Sequence, residues 1–368
     1  MSKKNTTEPI YKNLYNDTNF KNLIDKINAG ERTLSLCGLS GSSKYYLLSA
    51  IYELTKRPFL FLSPNKKKAQ STASNLSFFL KKTLPILEKK EPGVGEALYS
   101  SKSQFLKERN NWLYSAMNGK PLIAEVQALF ESAVPRKSFE GLIIKVSKGD
   151  LLLSEDITTQ LIQTGYVRTD FVQGRGDISA RGSIIDIFSP GHVNPVRLEF
   201  IGDEVGSIRE FSIEDQKSTE KIDHTTILPV STISMDQPSI ERAIKYLRKR
   251  AEEQGIPARN KHQIIEQIEK GERIPNMEWM VPAFYPKLSS IFDYLPPDIL
   301  IFEDEPEENI NATESFLDSL SETESILKKQ LKIAPDIQEI YFTNNYIKKK
   351  IRALPKILLR DLEIDGDN

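Results

Sequence analysis

Residues 166–190 read YVRTDFVQGRGDISARGSIIDIFSP, and residues 196–211 read VRLEFIGDEVGSIREF. The first run holds Arg168, Arg175 and Arg181 beside Gly174, Gly176 and Gly182. Beyond them Ile185, Ile187, Val196, Leu198, Phe200 and Ile208 fall at strand spacing. Successive strand side chains point to opposite faces, so this pattern predicts strands with one covered face. On the open face, fixed guanidinium forks would stand beside apolar groups. A planar fork grips carboxylates bidentately, and arginine is enriched at contact hot spots. The stretch therefore predicts a docking surface rather than an active site.

The same motifs, in the same order, resemble domain 2 of the UvrB family, and still more the matching domain of the bacterial transcription-repair coupling factors (Mfd). The elements are Gly165-Tyr166-Val167-Arg168-Thr169-Asp170, then residues 181–188, then residues 197–209. Two departures stand out: Ser189 delays the proline to Pro190, and Ile201-Gly202 replaces the usual Phe-x pair. The resemblance runs over residues 20–305, is weaker over 81–109, and fades after 341. It implies that UvrA is the partner and that Arg168, Arg175, Arg181, Phe188, Glu199 and Arg209 are the candidate contacts. Phe188 is the best placed as an exposed anchor, although Phe188, Phe200 and Phe211 also suit a core. Glu199 and Arg209 equally suit a cross-strand pair.

The chain has 368 residues, 27% charged, with a formal net charge of −1. That length calls for two or three domains. Such a balance gives no global basic field for nucleic acid. Cys37 is the lone cysteine, and His192, His224 and His262 are scattered. There is thus no disulfide framework, no metal-ligand spacing and no cofactor signature. Without an apolar leader or a bilayer-length apolar run, a cytoplasmic protein with no membrane partner is expected.

Residues 34–37, 58–62 and 121–124 read as buried strands alternating with helices, which predicts a parallel sheet. Residues 142–146 read as a further strand, and Ser154 as the cap of a helix through Gln163 that stops at Gly165. From Ser231 onward the pattern is mostly helical, with a strand at 299–302 and one long helix over 311–332. The expected fold is α/β. A degenerate P-loop-type parallel-sheet domain, made of parts 1A and 1B, carries an inserted, mainly antiparallel domain like UvrB domain 2. Its expected divisions are 1–135 (1A), 136–230 (domain 2) and 231–368 (1B, packing on 1A).

A nucleotide loop would have to lie at residues 38–45, where Gly38 and Lys44 fit G-x-x-x-x-G-K-(S/T). Ser43 holds the second glycine's place and Tyr45 the hydroxyl's, and a tyrosine cannot supply the short metal-holding oxygen. Residues 303–305 (Glu-Asp-Glu) look superficially like a magnesium site but read as a solvated strand end. Trp112, Tyr114 and Trp279 read as packing residues, and Lys348, Lys349 and Lys350 as a solvated face. In the coupling factors the corresponding loop has decayed and the motor lies elsewhere. The resemblance therefore implies a non-catalytic, UvrA-recruiting module of nucleotide excision repair and an N-terminal fragment. RNA polymerase and DNA would be contacted by the rest of the full-length protein. The alternatives are a UvrB-type ATPase or helicase subunit and, last, a damage-binding module, for which no Tyr-rich hairpin is visible over 64–121.

Overall fold

The structure, a computed structural model, describes residues 8–91 and 104–360. Residues 92–103, within the span expected to lack a Tyr-rich hairpin, lie outside the described residues, as do 1–7 and 361–368. Strands β1 (Thr33–Cys37), β2 (Phe59–Ser63), β3 (Ile86–Leu87) and β4 (Leu122–Glu125) belong to one sheet. Helices Ser43–Thr55, Lys66–Leu80 and Gln104–Met117 lie between them. In β2 every residue is buried. Phe59 and Phe61 enter one hydrophobic cluster, Leu60 and Leu62 the other. A continuous apolar run serves both faces because helices cover both. Trp112 is buried and its Nε1–H donates to the Ile123 carbonyl at 2.8 Å, so it packs as expected.

After a short β5 (Ser132–Ala133), the chain leaves through β6 (Ile144–Ser147). A separate sheet follows: β7 (Val167–Arg168), β8 (Asp177–Arg181), β9 (Ile184–Ile187), β10 (Val196–Ile201), β11 (Glu204–Phe211) and β12 (Ser218–Ile222). They are ordered β12-β11-β10-β9-β8-β7; only β7 and β8 run parallel. Ile185, Ile187, Val196, Leu198, Phe200 and Ile208 share one core with Ile157 and Leu161 of helix Ser154–Gln163. The chain returns through β13 (His224–Ile227), which pairs antiparallel with β6. Entry and exit thus form one ribbon. Downstream, β14 (Ser289–Ser290) pairs with β5, and β15 (Leu300–Asp304) and β16 (Lys356–Arg360) rejoin the first sheet. That sheet is wholly parallel, in the order β1-β16-β15-β2-β4-β3. The expected α/β fold with an inserted antiparallel unit is present.

Several expectations need correction. The strand expected at 299–302 is present as β15, but the mostly helical region after 231 also holds β16, an unexpected internal strand of the sheet. The helix expected over 311–332 is two, Pro306–Asp318 and Leu320–Leu331, broken at Ser319. Residues 142 and 143 precede β6, because helix Arg136–Leu142 occupies that position. Ser154 opens its helix but does not cap it; Leu153 is the cap residue, without a side-chain bond.

Candidate functional site

Strand alternation leaves one face of the antiparallel sheet polar. Cross-strand register sets Ser179, Asp186, Arg197 and Arg209 in one row, and Arg181, Ile184, Glu199 and Ser207 in the next. Asp186 is buried, although it interrupts an isoleucine-rich strand. Arg197 grips it with Nε at 2.7 Å and Nη2 at 2.9 Å, and Arg181 Nη2 adds a third bond at 3.0 Å. That hydrogen bond to Asp186 raises the Arg197 pKa above the ordinary guanidinium value. A buried carboxylate needs such donors because its charge is otherwise stranded in low dielectric.

Each guanidinium also lies over a ring. Arg181 sits 4.9 Å from the Phe171 centroid, Arg197 4.9 Å from Phe211, and Arg175 5.4 Å from Phe188. Stacking and bonding together hold these planar heads in place. The 181 side chain remains 46% exposed, and Phe171 is 52% exposed beside it. Arg168 is exposed on edge strand β7, with a 3.4 Å contact to the Ala180 carbonyl. Arg175 donates through Nε to the His192 carbonyl at 2.9 Å. Glu199 and Arg209 do form a cross-strand pair, 3.3 Å apart, and Ser207 also donates to Glu199.

Phe188 is not the exposed anchor: it is 5% exposed, in a small cluster with Val172 and Phe211. The loop carrying Val172 covers this end of the sheet, tied by Gln216 Nε2 to the Val172 carbonyl at 3.3 Å. Sequence reasoning missed Phe171, Asp186 and Arg197. Asp186 carried a signal, a lone carboxylate on the polar phase of an apolar strand. Phe171 carried only its place between Asp170 and the glycine turn.

The degenerate nucleotide loop is far simpler. Gly38 and Gly41 take positive φ (77° and 57°), and Ser43 Oγ bonds back to the Ser40 carbonyl at 2.7 Å. Lys44 Nζ meets Asp304 Oδ2 at 2.5 Å, with both side chains largely shielded. Tyr45 is buried, its ring 6.5 Å from that of Phe61. Residues 303 and 304 are therefore not a solvated strand end. Asp304 closes on the loop lysine, and burial raises the pKa of Glu303, which lies 3.8 Å from Lys356. A phosphate reaching Lys44 would have to displace a carboxylate.

Residues 144–232 match the family model of the UvrB interaction domain, a span holding the whole antiparallel sheet. The chain is similar to the transcription-repair-coupling factor of Bacillus subtilis, 25% identical over 91% of this chain and 30% of that protein. The coupling factor of Myxococcus xanthus is 25% identical over 87% and 28% respectively. The UvrABC system protein B of Thermosipho africanus is 29% identical over 64% of this chain and 38% of its own length. The chain thus spans less than a third of the coupling factors just named. The resemblance to the Mfd and UvrB proteins extends over most of the chain. Among the described residues, no helix is long and apolar enough to cross a membrane.

Proposed function

We propose that this chain is a docking module of nucleotide excision repair that recruits UvrA through the polar face of its antiparallel sheet, and that it does no chemistry. The observation that carries the reading is the Arg181–Phe171 pair, exposed yet ordered, inside the segment that matches the UvrB interaction domain. An anchored fork beside an exposed ring loses little conformational entropy on binding, which favours a hot spot. In this reading RNA polymerase and DNA are contacted by other parts of a coupling factor.

Binding of UvrA by the Arg168→Ala, Arg181→Ala double variant tests it. Each truncation should cost on the order of 2 kcal/mol, roughly thirtyfold in Kd. Arg181→Lys should rescue only partly, since an ammonium lacks the planar fork. Unchanged affinity in a folded double variant would place the interface elsewhere. The rival, a UvrB-type ATPase, is disfavoured by Lys44 held on Asp304 and by Tyr45 in the core. Calorimetry with magnesium-ATP near 1 mM, where Kd corresponds to about −4 kcal/mol, should give no magnesium-dependent heat. A clear magnesium-dependent isotherm would revive the ATPase reading.

A further inference from the structure

Away from the docking sheet, helix Gln237–Glu253, residues 282–288 and residues 338–342 border a cavity of about 530 Å³ that is open to solvent. Small-molecule sites span roughly 300–1,000 Å³. Tyr246, Tyr285, Tyr341 and Phe342 line it, and Arg242, Lys245, Lys249 and Lys287 bring cations to it. Residues 242, 245 and 249 share one helical stripe, so three of those cations come from a single helix face.

The rings are held in advance. Tyr246 Oη donates to Glu339 Oε2 at 2.6 Å, and Tyr285 Oη to the Thr232 carbonyl at 2.5 Å. Among the described residues Glu339 is the one carboxylate lining the cavity, and it is engaged: it also accepts the Asp336 backbone N–H at 3.0 Å. Arg242 Nη1 donates to the Phe284 carbonyl at 2.7 Å, and Lys249 lies 3.6 Å from Glu253. Lys245 and Lys287 have no ion-pair partner among the described residues. The cavity therefore combines fixed aromatic surface with unneutralised positive charge.

We propose that this cavity binds a nucleotide, its base against the rings and its phosphate at Lys245 and Lys287. Every base offers a planar face for aromatic stacking, and cations follow the phosphate. An extended acidic peptide could use the cations but would leave the rings without a stacking partner. The nucleotide is either free or part of a single strand, and both share this chemistry. Magnesium is not required, because protein cations neutralise the phosphate; this separates the site from the loop at Lys44.

The test is titration of the chain, without magnesium and at low salt, with 5′-adenosine monophosphate and separately with a short oligothymidylate. Binding of the mononucleotide marks a free-nucleotide site; binding of the oligonucleotide alone marks a strand site. In either case the Lys245→Ala, Lys287→Ala variant should bind at least tenfold more weakly at an unchanged melting temperature. The Lys348→Ala, Lys349→Ala variant, with the same loss of charge outside the cavity, should bind as wild type. Four results overturn the proposal. Neither probe binds, the cavity variant binds unchanged, the control variant loses as much, or oligoglutamate binds more tightly than both probes.

Discussion

At the scale of single residues, Asp186 and Arg181 share a bond but have different duties. Asp186 is buried beneath two guanidinium groups, so Asp186→Ala would strand Arg197, whose side chain is only 16% exposed. Breaking a buried pair from one side costs about 3–5 kcal/mol. Arg181→Ala leaves the Arg197–Asp186 fork intact, and an exposed pair of this kind is worth about 1 kcal/mol or less. Chemical denaturation of the two variants should therefore separate stability from docking, and equal losses would refute that division. Glu125 gives a second prediction. Burial, the largest influence, pushes its carboxyl from the ordinary 4.5 up to about 7. A raised folded pKa means stability fully present below the unfolded value and lost as pH rises through the folded one. The loss is about 3 kcal/mol at 1.36 kcal/mol per pH unit. Glu125→Gln should remove it, so the variant should gain on wild type between about pH 5 and pH 8. Parallel stability curves over that range would show that Glu125 is not the titrating group.

At the scale of elements, glycines mark boundaries that side-chain periodicity does not. Gly165 follows helix Ser154–Gln163 at φ +96°, and a Cβ there would stand 3.1 Å from Ser231 Cβ and 3.3 Å from Ser231 N. Gly165→Ala should therefore lose about 1–2 kcal/mol through left-handed strain and crowding of the segment that follows the return strand. A melting temperature equal to wild type would contradict both causes. This stop was legible because a helix ending on glycine has a backbone reason. The core face of the antiparallel sheet was legible too, since Ile185, Ile187, Leu198 and Ile208 repeat with the strand period. Phe188 was not, because its burial depends on Val172 and Phe211, which reach it from a loop and from β11, two strands away from β9. The break at Ser319 left no breaker in the sequence: the residues on both sides keep helix-forming character, and tertiary packing decides where one helix becomes two.

At the scale of the whole molecule, the fold is closed by an element that local patterning hid. Strand β16 pairs with β1 on one side and β15 on the other, and its Ile357 and Leu359 are buried on the face that also holds Phe59 and Phe61. Its sequence, KILLR, is short and ends in charges, so it reads as easily as a helix end as an internal strand. Only partners from distant parts of the chain define it. Among the described residues β1 joins the parallel sheet through β16 alone, and the backbone N–H of Gly38, which opens the degenerate loop, is bonded to the Arg360 carbonyl at 3.1 Å. Removal of residues 355–368 should therefore release β1 and that loop from the sheet. Two buried aliphatic side chains contribute about 3–6 kcal/mol, apart from the strand hydrogen bonds that are lost with them. Hydrogen exchange at residues 33–37 should rise toward that of an unfolded segment, while residues 178–208, with their own core, should remain protected. Ile357→Ala in the full chain provides the milder case, at about 2–5 kcal/mol. If the truncated protein kept β1 protected and melted as wild type, β16 would be an accessory edge, and the sheet would draw its order from β2, β4 and β15.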